Sequence, residues 1–139
     1  MLEPRIVVEP PADWNLSESV TLRPPDGSAS LIVSSEPIDR GIDSRMFADR
    51  SVEALALDLP EYQPGPIVPV TLFGQPGFLH HYSWVPPEGR TVGQIQVFAV
   101  VNGRSYTGTA TAAPWTTEIE AQLLTAIATL RLEPSTAGG

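Results

Sequence analysis

The sequence predicts an α+β domain in which about six antiparallel strands form one sheet and two α-helices cover one face of it. Two observations support the sheet: apolar and polar residues alternate over several short segments, and turn residues separate these segments. A third observation supports the helices, because two longer segments place their apolar residues about 3.6 positions apart. The strands are expected as an N-terminal hairpin followed by a four-stranded meander.

The hairpin is predicted from residues 16–33. Leu16, Val20 and Leu22 alternate with hydroxyl residues over positions 16–22, which is typical of a strand with one buried face. Residues 24–27, with two prolines, an aspartate and a glycine, form a turn. Residues 29–33 are then the return strand.

The first helix is predicted over residues 43–59. Asp43 can cap its N-terminus, and Pro60 ends it, since proline lacks the backbone N–H that a helix interior requires. The second helix is predicted from Glu118 to about Leu132. Thr117 and Glu120 have the spacing of a capping box at its start.

Between the helices, four strands are predicted, separated by turns that contain glycine. Asn102-Gly103 between two β-rich segments is a strong hairpin signal, because both residues tolerate positive φ. A turn at 74–77 and another at 86–89 separate the earlier pairs. The predicted strands are residues 67–73, 78–85, 92–101 and 105–112.

Composition narrows the classes of partner and the compartment. The chain has 139 residues, 16 acidic and 8 basic, and a net charge of −8, so nucleic acid is not expected as a partner. No apolar segment reaches the ~20 residues that a membrane-spanning helix needs, and direct membrane insertion is not expected. Cysteine is absent, and the N-terminus lacks the pattern of a secretory signal. We therefore expect a cytoplasmic protein with a single domain over residues 1–133 and a flexible tail at 134–139.

Catalysis and cofactor binding are not expected. His80 and His81 are adjacent on a predicted strand, so their side chains point to opposite faces and cannot readily chelate one metal. No nucleophile, base and orienting group can be grouped from the sequence. A small hydrolase that uses His80 or His81 with carboxylates is the remote alternative.

Strand parity indicates where a partner could bind. Ile95 and Val97 share the parity expected to face the helices, and the other parity of the same strand mixes glutamines with apolar residues: Gln94, Gln96 and Phe98. This second set is either a solvated sheet face or a surface for an amphiphilic helix. The neighbouring strand places its aromatic residues on one parity, which is either a core beneath a helix or a binding platform; they are Phe78, His80, Tyr82 and Trp84.

The order of several short motifs over about residues 5–132 resembles the DcrB-related domain family, which has a PsbP-like fold. The motifs are Trp14 with residues 18–22, residues 57–62 at the end of the first helix, residues 73–76, Trp84, residues 96–98 and the threonines Thr107, Thr109 and Thr111. The absence of a leader makes the chain most similar to the cytoplasmic Eag chaperones of this family. These chaperones, commonly dimers, shield N-terminal transmembrane helices of secreted toxin effectors, as in type VI secretion.

The resemblance implies a homodimer that binds a hydrophobic helix of a toxin on a sheet groove. It places Val20, Leu22 and Gln96 at the contact, with Gln94 and Phe98 on the same strand as Gln96. Asp58 stands where the family pattern has a glutamine, so a polar contact there is not implied. The expected function is a non-enzymatic chaperone or adaptor. The alternative is a soluble accessory domain that binds another protein without a transmembrane client.

Overall fold

The computed structural model describes residues 8–132, and the expected tail at 134–139 lies outside them. Six strands and two helices follow one another in chain order. They are β1 (Glu18–Leu22), β2 (Ala29–Pro37), α1 (Ser44–Asp58), β3 (Gln63–Leu72), β4 (Gln75–Trp84), β5 (Val92–Val101), β6 (Arg104–Ala112) and α2 (Thr117–Ala128).

The strands form one antiparallel sheet in the order β1-β2-β6-β5-β4-β3. The β1–β2 hairpin joins the β3–β6 meander through the pairing of β2 with β6, which aligns Ala29 with Ala112 and Pro37 with Arg104. The predicted α+β class, the hairpin and the meander are therefore confirmed.

Two of the tight turns use left-handed backbone conformations. Asn102 (φ 49°) and Gly103 (φ 78°) connect β5 to β6, as predicted. The β3–β4 connection is shorter than the predicted turn at 74–77: Phe73 (φ 55°) and Gly74 (φ 71°) make the turn, and β4 begins at Gln75. The sequence points to Gly74 but not to Phe73, because bulky residues seldom adopt positive φ.

The helix caps are side-chain oxygens that accept backbone N–H groups. The Asp43 Oδ1 atom accepts from the Met46 N–H at 2.8 Å, as predicted. At α2, however, Thr116 is the cap instead of Thr117: its Oγ1 accepts from the Ile119 N–H at 3.1 Å, and its backbone is extended. The helix starts one residue before the predicted Glu118 and ends at Ala128, before the predicted Leu132.

The helices lie on opposite faces of the sheet, so the prediction that both cover one face is wrong. Phe47 of α1 contacts Phe98 of β5, whereas Leu123 and Ile127 of α2 belong to a core that includes Val97. Val97 and Phe98 are consecutive on one strand and point to opposite faces. The α1 face is therefore the one that carries Phe98, and the α2 face is the one that carries Val97.

The larger core lies between the sheet and α2. Its buried sheet residues are mostly small or branched: Ala29, Leu31, Leu72, Ile95, Val97, Ala99, Ala110 and Ala112. Gly93 lets Trp115 approach this face, because a Cβ atom at position 93 would lie 2.8 Å from the Trp115 Cβ. On the other face, α1 packs on β4 and β5 and leaves β1, β2 and β6 without a helix above them.

Candidate functional site

A groove of about 450 Å³ runs between β1 and the segment that follows α2. We call it the α2-side groove. Its apolar lining comes from β1, β2, the β3–β4 turn, β6 and the segment after α2: Val20, Leu22, Val33, Phe73, Tyr106, Leu130 and Leu132. Glu18 and Arg131 supply its charged lining residues.

The apolar residues of β1 are solvent-exposed although they face the side of the core. Val20 is 61% exposed and Leu22 is 51% exposed. They pair with Val33 and Leu31, so they lie on the α2 face. Val20 and Leu22 therefore form an open apolar wall, although single exposed apolar residues are common on protein surfaces.

Phe73 lines the groove and lies in the tight turn between β3 and β4. Its ring packs against that of Tyr106 with 4.9 Å between the centroids. Positive φ in a bulky residue costs energy and is often retained where it orients a side chain for function. The β3–β4 turn thus places an aromatic ring in the groove.

Arg104 holds the chain that enters β1. Its Nε atom donates to the Ser35 Oγ at 2.9 Å, and its Nη2 atom donates to the Leu16 carbonyl oxygen at 2.7 Å. Both bonds have a charged donor, which makes them stronger than neutral ones. β1 is therefore fixed by a side chain of β6 as well as by its pairing with β2.

A second surface lies on the α1 face, beside α1. Its polar pairs are Gln94 with Thr111 (Nε2 to Oγ1, 2.9 Å) and Gln96 with Thr109 (Nε2 to Oγ1, 3.2 Å). Ile32, 39% exposed, lies on the same face of the sheet, since it pairs with Thr109. We call this the glutamine–threonine face.

The pairs leave one acceptor unused. The Gln96 Oε1 atom is buried and has no hydrogen-bond partner within residues 8–132. The Gln94 Oε1 atom, by contrast, accepts from the Trp84 indole at 3.1 Å. The glutamine–threonine face therefore combines apolar surface with an unpaired polar group.

The predicted partner-binding residues do not share one surface. Val20 and Leu22 lie on the α2 face, whereas Gln94 and Gln96 lie on the α1 face. Side chains on opposite faces of one sheet cannot contact the same helix. A single contact surface that includes all of these residues is therefore excluded.

Phe98 is not available to a partner in this structure. It is 0% exposed, and its ring meets the edge of the Phe47 ring with 5.9 Å between centroids. The residue packs under α1 as part of the core. Gln94, Gln96 and Phe98 point to the same face of the sheet. A partner on this face could therefore contact only residues that α1 does not cover, and Phe98 is not among them.

The aromatic residues of β4 form a core beneath α1 and the segment after it. His80 is 1% exposed, and its ring stacks on that of Tyr82. The His80 Nδ1 lies 3.5 Å from the Pro66 carbonyl oxygen, and its Nε2 is hydrogen-bonded to the Tyr62 hydroxyl. A proton on Nδ1 would allow Nε2 to accept from Tyr62.

Burial changes the proton affinity of this cluster. Desolvation lowers the pKa of the His80 imidazole, and it raises the pKa of the Tyr82 hydroxyl. The Tyr82 hydroxyl has no hydrogen-bond partner among residues 8–132. The cluster therefore favours its uncharged forms near neutral pH, and its close packing makes it part of the core and not an open platform.

His81 points to the opposite face from His80, as predicted. Its ring packs on the Trp115 ring at 4.9 Å, and its Nδ1 atom lies 3.6 Å from the Glu120 Oε1. The same Glu120 oxygen accepts from the Trp115 indole at 3.3 Å. Within residues 8–132, the His, Asp and Glu side chains form no group of three or more suited to a metal.

Sequence reasoning missed the C-terminal wall of the groove and the role of Phe73. The sequence predicts a helix that continues to about Leu132 and a turn at residues 74–77, whereas α2 ends at Ala128 and Phe73 and Gly74 make the turn. Phe78 and Phe98 lie opposite each other on β4 and β5, but this register comes from the structure, so strand periodicity alone does not place α1 on their face.

Comparisons with known proteins agree with this architecture. A Pseudomonas aeruginosa protein of unknown function, described as a candidate regulator, has a similar crystal structure: the TM-score is 0.78 at 22% identity, over 92% of each chain. The solution structure of the cyanobacterial PsbP of Synechocystis gives a TM-score of 0.52 at 10% identity, over 80% of this chain and 79% of that one. These likenesses show a PsbP-like fold. Curated protein sequences give no significant match.

Two further findings concern membrane spanning and family membership. No helix within residues 8–132 has the length and apolar character to cross a membrane. The family model of DcrB matches residues 11–129, which is most of the chain and includes all six strands and both helices. The chain therefore belongs to the DcrB family.

Proposed function

We propose that the chain is a non-enzymatic, cytoplasmic chaperone or adaptor that shields a hydrophobic helix of a partner, such as a secreted toxin, in the α2-side groove. The observation that carries the proposal is the exposure of Val20 and Leu22 next to the apolar groove lining. An apolar segment of ~20 residues cannot remain exposed in water, so a protein that carries one before export needs a partner with an apolar surface.

The lining of the groove suits a helix more than a small polar ligand. Its apolar residues come from three strands, from the β3–β4 turn and from the segment after α2. An α-helix with its side chains is about 10 Å across and presents apolar side chains at i, i+3, i+4 and i+7. One face of such a helix would cover Val20, Leu22 and Leu130 together.

A second candidate function is a protein-interaction domain that uses the glutamine–threonine face. The specific observation in its favour is the unpaired Gln96 Oε1 on the same face as the exposed Ile32, with Thr109 between the two residues. The oxygen is buried, so a helix with small and polar residues could donate a hydrogen bond to it only after the Gln96 side chain changes its rotamer. This surface is more polar than the α2-side groove, so it ranks second.

One experiment separates the two surfaces. The probe is a leucine- and alanine-rich helix of ~20 residues fused to a soluble carrier and co-expressed with the chain. The first variant carries Val20→Asp and Leu22→Asp. The matched control is Ile32→Asp, which places a carboxylate on an exposed apolar residue of the neighbouring strand on the opposite face.

We expect the double variant to lose the complex and the control to retain it, with thermal unfolding of both near that of the wild type. Loss only in the Ile32→Asp chain would move the site to the glutamine–threonine face. If neither the wild-type chain nor its variants retain the probe, or the N-terminal segments of proteins encoded nearby, the chaperone proposal is wrong.

A further inference from the structure

Trp14 differs from the other two tryptophans in its exposure. Its side chain is 72% exposed. Trp84 and Trp115 are half-buried, and their indole N–H groups donate to the side chains of Gln94 and Glu120. Tryptophan offers a large apolar area and is enriched among the residues that carry most of the binding energy of protein interfaces. Trp14 is thus a candidate contact residue outside the groove lining given above.

Hydrogen bonds hold the segment that carries Trp14 in a defined place. The Trp14 N–H donates to the Pro11 carbonyl oxygen at 3.2 Å. Asp13 lies between them with a φ of 70°, a left-handed conformation that aspartate adopts more readily than most residues. On the other side of Trp14, the Leu16 carbonyl oxygen accepts from Arg104. The backbone is therefore fixed on both sides of residue 14.

The same hydrogen bonds place this segment at one end of the α2-side groove. Arg104 links Leu16 to Ser35, and Ser35 lines the groove. Residues 14–17 directly precede β1, so they continue the line of this strand past the end of the groove.

We propose that Trp14 is a further contact of the hydrophobic helix that the α2-side groove binds, and that it receives the end of a helix of ~20 residues. This inference rests on the proposed function and adds a residue and a length requirement to it. The alternation of side chains along β1, continued back to position 14, puts the indole on the side of Val20 and Leu22.

The length of the surface supports this role. The five residues of β1 extend about 17 Å, whereas a helix of ~20 residues extends ~30 Å. A helix laid along β1 alone would leave several of its apolar turns in water. Residues 14–22 together extend about 30 Å at ~3.3 Å per residue, which matches the helix.

The chemistry of an indole suits the end of an apolar helix. The ring covers apolar side chains, and its N–H can donate to a polar group where the apolar segment ends. Tryptophan is enriched at the corresponding boundary of membrane-spanning helices, where apolar side chains give way to polar ones. The occupant is therefore a hydrophobic helix whose polar flank begins at Trp14.

Two probes of different length test this role. The long probe is the leucine- and alanine-rich helix of ~20 residues, and the short probe has the same composition over ~12 residues and extends ~18 Å. Both continue a terminal helix of the carrier, because a short isolated helix is unstable in water. We expect the wild type to bind the long probe more tightly than the short one. Trp14→Ala should weaken binding of the long probe about tenfold or more and leave binding of the short probe unchanged.

Leu57→Ala is the matched control, because it truncates an apolar side chain that is 87% exposed and lies on α1. It should leave both affinities unchanged, and thermal unfolding of both variants should stay near that of the wild type. Trp14→Phe keeps an aromatic ring and should restore part of the affinity for the long probe.

Tryptophan fluorescence gives a second measurement, since the probes contain no tryptophan. Emission of the wild type should shift to shorter wavelength when the long probe binds, because the exposed indole of Trp14 leaves water. The Trp14→Phe chain should lack this shift.

The outcomes separate this contact from the proposed function. If Trp14→Ala binds the long probe as tightly as the wild type does, or weakens both probes equally, Trp14 does not receive the helix end, and the proposed function stands. If the wild type binds neither probe, the proposed function is refuted, and the role of Trp14 with it.

Discussion

Truncation of Phe98 tests whether this residue belongs to the core or to a partner surface. The side chain is completely buried and meets Phe47 edge to face. Burial of a phenylalanine contributes about 1.5–3 kcal/mol, and an aromatic pair adds about 0.5–1.5 kcal/mol. With the cavity that alanine would leave, Phe98→Ala should lower the free energy of unfolding by about 3–5 kcal/mol.

The measurement is chemical denaturation followed by tryptophan fluorescence, with a thermal scan beside it. A loss of this size in a chain of 139 residues corresponds to a fall in Tm of about 10 °C or more. Leu57→Ala is the control, because it truncates an apolar side chain that is 87% exposed and lies outside the groove, and it should change stability by less than about 0.5 kcal/mol. A Phe98→Ala chain as stable as that control, but unable to bind the helical probe, would refute the assignment of Phe98 to the core.

Three further predictions concern polar groups. Because burial lowers the pKa of His80 below its unfolded value of 6.5, the unfolded chain binds the proton more readily, and stability should fall as the pH drops below about 6.5, by at most about 1.4 kcal/mol per pH unit; in denaturation at several pH values, His80→Phe should flatten this dependence, and an unchanged dependence would contradict the assignment to His80. Tyr82→Phe removes a buried hydroxyl that lacks a partner, so its denaturation midpoint should equal or exceed that of the wild type, and a loss above about 1 kcal/mol would mean that the hydroxyl is hydrogen-bonded. Arg104→Met removes the hydrogen bonds to Ser35 and Leu16, which should lower the free energy of unfolding by about 1.5–3 kcal/mol. The substitution should also speed amide hydrogen exchange in β1 more than in β4. If exchange in β1 is as slow in the variant as in the wild type, β1 does not depend on Arg104.

The sequence predicted the elements well because local signals define them. Asn102-Gly103 requires positive φ at two consecutive residues, and that requirement alone favours the β5–β6 hairpin. Asp43 and Pro60 enclose α1 by capping chemistry and by the loss of a backbone donor. Such signals operate within a few residues and need no knowledge of the rest of the chain.

The faces of the sheet could not be assigned in the same way. Whether Val20 and Gln96 share a face depends on the registers of β1 with β2, β2 with β6 and β6 with β5, and an error of one residue in any of them reverses the answer. Phe98 shares its side of β5 with Gln94 and Gln96, so the sequence predicts an open surface there, whereas the structure buries Phe98. Its burial under α1 is a tertiary contact that strand periodicity does not reveal.

The pairing of β2 with β6 has a consequence for the order in which the molecule is completed. The walls of the α2-side groove come from residues 18–35 and from residues 106–132, so a ribosome-bound chain that still lacks its last quarter has only half of the groove. The hairpin and the β3–β5 strands can form early from local contacts, whereas the pairing of β2 with β6 closes a loop that spans about half of the chain. If the groove binds a client as proposed, only finished molecules can bind it, and a C-terminal truncation that removes residues 113–139 should abolish binding even where the sheet survives.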